Sequence, residues 1–402
     1  MTVTLAHVQA AARAIADDIR PTPTVDSPGL SALLDAQVVL KLENRQFTGA
    51  FKERGALNRL LALDETERRR GVVAVSAGNH AQGVAYHARR LGIPASIVMP
   101  ATTPLVKVRR TERFGARVVL AGDSLGAAHE HARRLEAQED RVFVHPYADP
   151  LVIAGQGTVA LEMLAADPDL QVLVVPIGGG GLISGVATAA KGLNPAIRVV
   201  GVQAELYPAI HAALRGEQPT MGGHSIAEGI AVKEAHPMTL ALIRERVDEV
   251  LLVCEEAIER AICLLLEVEK NLAEGAGAAG LAALLSHPQR FRGQRVGLIV
   301  CGGNIDQRLL ASVLMRDLVR QGRIARLRVP LLDNVGELAT VARLIADSGG
   351  NIVEVIHQRL LPHLPAKDAA LEVAVEVRDA PQLEIIRERL GAAGYTVEKL
   401  GD

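Results

Sequence analysis

The chain has 402 residues, of which 49% are hydrophobic but only 2% are aromatic, and its formal net charge is −2. This length predicts more than one domain, and a core with so few aromatic side chains must be built from Ala, Val, Leu and Ile, as in layered α/β proteins. The balanced charge gives no reason to expect nucleic acid or a membrane surface as a partner. No apolar run approaches the roughly 18 residues of a membrane span. The three cysteines are not spaced as metal ligands, and without a signal-peptide pattern we expect a cytoplasmic protein.

A repeating order of strand, turn and helix runs through the first 320 residues. An amphipathic helix is predicted for residues 5–19, with Thr4 as its N-cap. Apolar runs that end in turn residues predict strands at 37–42, 71–75, 95–99, 117–120, 142–145, 172–177, 199–203 and 296–300. This alternation indicates parallel sheets with helices on both faces. Ligands bind beyond the carboxyl ends of such strands, so the strand-to-helix turns are the candidate functional sites.

Lys52 lies in the turn after the first of these strands and is the candidate reacting group. The segment Thr48–Ala56 reads Thr-Gly-Ala-Phe-Lys-Glu-Arg-Gly-Ala, so the lysine follows a turn glycine and begins a run with helical spacing. A lysine at a helix start opposes the helix dipole, so stability alone does not favour it there. A desolvated lysine has a lowered pKa and can form Schiff bases. A solvated surface lysine is the alternative for this residue taken alone.

Two further turns are suited to binding anions. Ser76-Ala77-Gly78-Asn79-His80 offers backbone N–H groups and an amide at a helix start, which suit a carboxylate or a phenolic oxygen, although a plain turn is an equal alternative. Gly178-Gly179-Gly180-Gly181 follows a buried strand and opens a helix, so bare N–H groups can close around a phosphate. A flexible linker is disfavoured there, and the spacing is neither that of a triphosphate loop nor that of the dinucleotide fingerprint.

Three other positions carry groups that packing alone does not explain. Glu205 and His211 are of metal-ligand types, but two candidates are weak evidence and no metal is predicted. Glu274 stands within a segment rich in glycine and alanine, and close packing explains the small residues but not the carboxylate. The strand at 296–300 ends in Cys301-Gly-Gly-Asn, again at a carboxyl end.

Together these motifs resemble those of the fold-type II pyridoxal-phosphate enzymes, and within them the threonine ammonia-lyase family (threonine or serine dehydratases). The resemblance covers about the first 320 residues, with the motifs in the family's order. The residues that carry it are a Schiff-base motif at 48–56, a substrate-carboxylate loop at 76–83, a phosphate loop at 178–182 and a pyridine-nitrogen loop at 301–304. It implies two parallel-sheet subdomains, the smaller at roughly 48–147, and pyridoxal 5'-phosphate as the cofactor.

The resemblance also implies a role for each matching residue. Lys52 would hold the cofactor as an imine and act as the catalytic base at Cα, and Asn79 would bond the ring's phenolic oxygen. Cys301, which is not an ionised carboxylate, would leave the ring nitrogen largely unprotonated and favour loss of a β-hydroxyl. The full cofactor set is Phe51, Lys52, Asn79, Gly178, Gly179, Gly180, Gly181, Leu182 and Cys301, and the substrate-carboxylate set is Ser76, Ala77, Gly78, Asn79 and His80.

The implied reaction converts L-threonine to 2-oxobutanoate and ammonia, and L-serine to pyruvate. Ala77 stands where related serine racemases carry a second base, so racemisation would lose a proton carrier. The racemases also bind a cation through acidic side chains, of which only Glu205 matches, since His211 replaces the second acid. One alternative is a β-replacement enzyme of the cysteine synthase type, against which the 76–83 loop and the tail argue. The other is a non-catalytic amino-acid sensor, against which Lys52 and the phosphate loop argue.

The tail has a different composition from the rest of the chain. Residues 321–326 read as a polar linker, and the order strand, helix, strand, strand, helix, strand predicts an α+β ferredoxin-like domain at 327–402. It resembles the ACT domain, a regulatory module that binds amino acids, with Asp333-Asn-Val-Gly336 matching the first strand-to-helix turn. The resemblance implies isoleucine or valine as an effector and a homodimer or homotetramer, whereas the alternative is a purely structural dimerisation domain.

Overall fold

The computed structural model describes residues 2–359 and 367–400 and divides the chain into two compact units, 1–306 and 307–402. The strands of the first unit are β1 Thr24–Asp26, β2 Gln37–Lys41, β3 Val72–Val75, β4 Ala95–Met99, β5 Arg117–Leu120, β6 Val142–Phe143, β7 Val172–Pro176, β8 Arg198–Ala204, β9 Glu249–Val253 and β10 Arg295–Ile299. Its helices are α1 Leu5–Ile15, α2 Pro28–Leu34, α3 Lys52–Leu61, α4 Glu65–Arg70, α5 Asn79–Arg90, α6 Leu105–Arg113, α7 Leu125–Gln138, α8 Pro150–Ala166, α9 Gly181–Leu193, α10 Ala209–Arg215, α11 Pro237–Arg246, α12 Glu255–Glu267 and α13 Gly275–Ser286. Within the described ranges, no helix is both long and apolar enough to cross a membrane.

The first unit contains two sheets, as the strand-turn-helix repeats predict. The larger has the order β1-β2-β10-β7-β8-β9 and is parallel except for β1. The smaller has the order β5-β4-β3-β6 and is wholly parallel. The fold class predicted for this part of the chain is therefore confirmed.

Helices cover both faces of the smaller sheet because its strands are apolar on both sides. The buried strand residues alternate between two clusters, with Val72 and Ala74 in one and Val73 and Val75 in the other. Helices α3, α5 and α6 contribute to the first cluster, whereas α7 contributes to the second. Helix α3 also packs on α8, so it runs from the smaller subdomain to the helices beside the larger sheet.

A group of buried charges joins α3 to its surroundings. Arg54 is completely buried, and its guanidinium donates to Glu43 from Nε and Nη2, at 2.8 Å each, and to Glu162 from Nη1 and Nη2, at 2.5 and 2.8 Å. Lys41, at the end of β2, donates to the same Glu162 at 2.5 Å. Buried charges need such partners. The paired charges therefore hold together β2, α3 and α8, which carry Lys41, Arg54 and Glu162, respectively. This cluster was not predicted from the sequence.

The first unit departs from the sequence prediction at the ends of α1 and β6 and at two strands; β6 ends at Phe143 rather than at residue 145. Helix α1 ends at Ile15 rather than at residue 19, and an irregular turn carries Ile19 to a cluster with Ile15 and Leu57. Strands β1 and β9 were not predicted. The first has only three residues, and the second carries a glutamate that pairs with Arg198, which weakens its apolar pattern.

Within its described residues, the second unit contains an antiparallel sheet and three helices. Its elements are α14 Gln307–Arg320, β11 Ile324–Leu332, α15 Glu337–Asp347, β12 Asn351–Gln358, β13 Asp368–Glu376, α16 Ala380–Ala392 and β14 Glu398–Leu400. The sheet order is β12-β13-β11-β14, and its core includes Val341 and Ile345 from α15 and Leu383 and Ile386 from α16. The predicted order of elements is confirmed, which makes this part an α+β ferredoxin-like unit.

Several boundaries in the second unit differ from those predicted; the last strand, for example, begins at Glu398 rather than at residue 395. Strand β11 begins at Ile324, inside the segment predicted as a linker, because Ile324 and Ala325 are buried and pair with β13. The compact unit also takes in α14, although the sequence analysis ended the catalytic domain at residue 320. Residues 360–366 and 401–402 of the predicted domain lie outside the described residues.

Candidate active site

Three of the predicted site segments meet at one edge of the larger sheet. Strands β2, β10 and β7 are parallel neighbours, so their carboxyl ends face the same way. The turns that follow them carry Lys52, Cys301 and the glycine run 178–181, respectively. The chain thus brings together groups from three distant segments, as binding at the carboxyl edge of a parallel sheet requires.

The turn that holds Lys52 is fixed against the turn that holds Cys301. Ala50 and Gly302 form an isolated antiparallel bridge, and the Phe51 N–H donates to the Cys301 carbonyl at 3.0 Å. Phe51 is buried. These contacts hold the segments that carry Lys52 and the Cys301 thiol side by side.

Lys52 is the first residue of α3 and its amine is held in place. Nζ donates to the Pro146 carbonyl at 2.8 Å and lies 5.2 Å from the centre of the Phe51 ring. Burial lowers the pKa of the Lys52 amine to about 8, against a smaller opposing effect from Cys301 and Glu274. A substantial fraction of the amine is therefore neutral near physiological pH, and the neutral amine is the form that attacks a carbonyl.

The segment 76–80 presents the start of α5 to the site. The helix begins at Asn79, so the first N–H groups have no partner within the helix. Ser76 accepts a hydrogen bond from the Gly78 N–H at 3.1 Å, which shapes the turn. A methyl group at Gly78 would meet no atom within 4 Å, so there is space for a bound carboxylate.

His80 is oriented differently from the rest of this segment. Its ring is buried and its Nε2 lies 3.0 Å from the Val144 carbonyl. Burial lowers the pKa of His80 to about 3, so the ring is neutral and donates from Nε2 to that carbonyl. The ring is hydrogen-bonded to the Val144 carbonyl, just after β6. Of the groups of His80, the backbone N–H is therefore the one that a substrate carboxylate could contact.

The glycine run is closely packed as well as bare. A Cβ at Gly179 would lie 2.4 Å from the Tyr147 ring, and one at Gly178 would lie 2.8 Å from the Gly229 carbonyl oxygen. Gly180 has a φ of +89°, a conformation that L side chains rarely adopt. Helix α9 begins at Gly181, followed by Leu182, and no side chain caps its first N–H groups, which leaves them available to an anion.

Cys301 is buried at the carboxyl end of β10. Burial, with a further contribution from Glu274, raises the pKa of the thiol above its ordinary value. The thiol therefore remains neutral, and it cannot hold a proton on a neighbouring ring nitrogen as an ionised carboxylate would.

Three residues of the site were not assigned a role from the sequence: Tyr147, Glu274 and Asn304. Tyr147 packs on the glycine run. It follows β6, which lies next to β3 in the smaller sheet, so its position after the carboxyl end of a strand could have identified it as a site residue. Glu274 accepts a hydrogen bond from Asn79 at 2.6 Å, and Asn304 donates to the same Asn79 at 2.8 Å. These last contacts join residues more than 190 positions apart, so no local pattern could predict them.

The candidate metal ligands do not form a cluster. Glu205 is exposed after β8, and the backbone N–H of His211 bonds to the side chain of Gln203. In the part of the chain that the structure describes, no group of three or more His, Cys, Asp or Glu side chains could hold a metal ion.

Comparisons with known proteins agree with this geometry. The family model described as "Pyridoxal-phosphate dependent enzyme" matches residues 15–302. The L-threonine ammonia-lyase of Thermotoga maritima is 43% identical over 99% of this chain and 100% of its own length. That of Geobacter sulfurreducens is 42% identical over 95% of this chain and 96% of its own.

Solved structures show the same likeness. Maize serine racemase matches with a TM-score of 0.74 and 34% identity, covering 80% of this chain and 100% of the racemase. The processed form of threonine deaminase isoform 2 from Solanum lycopersicum matches with a TM-score of 0.73 and 32% identity, covering 77% and 92%. The chain belongs to the family of pyridoxal-phosphate dependent enzymes, with the fold-type II architecture.

The residues present fit the cofactor of that family. Bare N–H groups at the start of α9 suit a phosphate, and no side chain of the glycine run fills the space in front of them. A lysine amine of lowered pKa suits a carbonyl carbon, and a neutral buried thiol suits an unprotonated ring nitrogen. The predicted cofactor, pyridoxal 5'-phosphate, is therefore confirmed at the level of the family.

Proposed function

We infer that the protein is a threonine ammonia-lyase, which converts L-threonine to 2-oxobutanoate and ammonia. The same elimination would convert L-serine to pyruvate and ammonia. The observation that carries this conclusion is a lysine amine of lowered pKa that shares one sheet edge with the glycine run and a neutral thiol. Two L-threonine ammonia-lyases that match nearly all of the chain support it.

Each residue has a distinct task in this proposal. When bound, pyridoxal phosphate supplies a carbonyl group that captures the substrate amine and a ring that withdraws electrons from Cα. The N–H groups at 178–182 bind the phosphate, and those at the start of α5 orient the substrate carboxylate. The Lys52 amine would remove the proton from Cα, and the β-hydroxyl would take up a proton and leave as water, which gives an enamine. A second water then converts the enamine to the 2-oxo acid and ammonia. Cys301 would leave the ring nitrogen of the bound cofactor unprotonated, and Asn79 would bond its phenolic oxygen.

Racemisation is a weaker proposal for this site. Maize serine racemase shares the architecture, but reprotonation from the opposite face of Cα needs a second proton carrier. Ala77, with its methyl side chain, cannot supply one. Elimination needs only the proton removal assigned to Lys52, and the site therefore favours it.

The test of the proposed function is the replacement Lys52→Ala. We expect the loss of both 2-oxobutanoate formation and the visible absorbance of bound cofactor, because Lys52 supplies the buried amine of lowered pKa at this sheet edge. Lys191→Ala is the matched control, since Lys191, on α9, pairs with Asp248 and takes no part in the site. Full turnover in the Lys52 variant would remove this lysine from its role.

We also propose that the second unit binds an amino acid and regulates turnover, with isoleucine or valine as the effector. The match to the Thermotoga maritima enzyme extends over 99% of the chain and so includes this unit. The unit has a core of its own, which suits a separate binding module. The proposal also includes a homodimer or homotetramer in the cytoplasm, where three cysteines that form no disulfide are expected.

A further inference from the structure

Glu274 is the residue immediately before α13, and its carboxyl is not used to cap that helix. Its backbone N–H donates to the Gly302 carbonyl at 3.0 Å, and its side chain makes no capping hydrogen bond. Side chains at this position usually bond to the first N–H groups of the helix. The carboxyl of Glu274 turns instead towards the site.

The carboxyl lies between the start of α5 and the turn after β10. Its Oε1 accepts a hydrogen bond from Asn79 Nδ2 at 2.6 Å. A methyl group at Gly302 would come within 2.4 Å of the same oxygen, so the glycine is needed for the carboxyl to fit. The Glu274 carboxyl group thus occupies space that is available because residue 302 has no side chain.

A chain of hydrogen bonds fixes the orientation of the Asn79 amide. The Thr48 carbonyl can only accept, so the Asn304 atom 2.7 Å from it must be the nitrogen. The same nitrogen lies 2.8 Å from Asn79, which must therefore present its oxygen there and its nitrogen to Glu274. One of the two Asn79 N–H groups is used by Glu274, and the other remains free for a ligand.

We propose that Glu274 is a positioning residue of the active site, which holds the Asn79 amide so that its second N–H is directed at the phenolic oxygen of the bound cofactor. This inference rests on the proposed function, because Glu274 can position Asn79 for the cofactor only if Asn79 bonds the phenolic oxygen as proposed there. An amide rotated by half a turn would place its oxygen against the carboxylate and lose both hydrogen bonds.

The surroundings make this carboxyl sensitive to pH. Burial raises the pKa of Glu274 to about 7, opposed by the hydrogen bonds from Asn79 and the Asn304 backbone. The titratable groups that face it are the Lys52 amine and the neutral Cys301 thiol from the adjoining turns, Glu228 from the segment beside α13, and Lys107 from α6. Below the pKa a neutral carboxyl accepts more weakly, so its hold on Asn79 loosens as the pH falls.

The first measurement is a pH titration of the visible absorbance of the holoenzyme. The native protein should show a step near its Glu274 pKa of about 7. Glu274→Gln keeps the shape and can still accept from Asn79 but carries no charge, so the step should disappear while the cofactor stays bound. Glu228→Gln is the matched control, because it removes a neighbouring charge that raises the Glu274 pKa and should move the step to lower pH. A step unchanged in Glu274→Gln would overturn the proposal.

The second measurement is a double-mutant cycle on cofactor affinity. Glu274→Ala and Asn79→Ala should each weaken cofactor binding by about tenfold, the scale of one charge-assisted hydrogen bond. The double variant should be no weaker than either single one, because Glu274 acts through Asn79. Multiplied losses in the double variant would show that Glu274 acts by another route. Threonine turnover by the native holoenzyme tests the proposed function separately, whatever the cycle shows.

Discussion

Individual side chains of the site show which part of its chemistry a sequence can disclose. Lys52, Cys301 and the glycine run were found because each follows an apolar strand, and the nearby residues alone define that pattern. The Glu274–Asn79 contact was not found, because its two residues are 195 positions apart and come together only in the folded chain. A local sequence pattern therefore predicts which residues lie at the carboxyl edge of a sheet. It does not predict which of their side chains contact one another.

At the same scale, Cys301 offers a test of the charge on the ring nitrogen. Cys301→Ser should keep kcat within about threefold, because a hydroxyl is also neutral. Cys301→Asp should lower kcat by about tenfold or more and add a long-wavelength absorption band, because a carboxylate would hold a proton on the nitrogen. Stopped-flow absorbance with threonine measures both effects. An aspartate variant with the native rate and spectrum would show that this residue does not face the ring.

At the scale of elements, the strands were largely predictable but their order in the sheet was not. The apolar runs predicted eight of the strands of the first unit, since a strand buried on both faces has a continuous apolar sequence. The position of β10 between β2 and β7 depends on pairing between segments far apart in the chain, which no single run reveals. The ends of elements also shifted, as when burial of Ile324 extended β11 into the predicted linker.

The turn between β7 and α9 provides a prediction at this scale. Gly179→Ala should weaken cofactor binding by about tenfold or more, because the added Cβ would lie 2.4 Å from the Tyr147 ring and must displace the phosphate-binding turn. Equilibrium titration with pyridoxal phosphate gives the affinity. Gly126→Ala on α7 is the control, since a Cβ there would meet no atom within 4 Å and should change nothing. Equal affinities in the two variants would reduce the glycine run to a simple turn.

At the scale of the whole molecule, the two compact units predict a separation of catalysis from regulation. A chain that ends at Arg320 should keep threonine turnover, because every residue of the site lies before that position. It should lose the response to isoleucine, which in the full-length protein should shift the apparent substrate affinity by several-fold, the usual size of such coupling. Turnover measured with L-isoleucine and, as a control, D-isoleucine compares the two proteins. A response that survives truncation, or full-length protein indifferent to both isoleucine and valine, would leave the second unit with a role in assembly alone.

The strand order of the larger sheet also determines when, during synthesis, the sheet can be completed. Strand β10 is the last strand of its sheet to be synthesised, yet it lies between β2 and β7 and bonds to both. Until its residues 295–299 emerge from the ribosome, the earlier strands form two separate pieces, each with an open edge. The same strand delivers Cys301 to the site. The cofactor site is therefore complete only after about 300 residues have been synthesised. Until then, the edges of β2 and β7 that pair with β10 remain unpaired in the nascent chain.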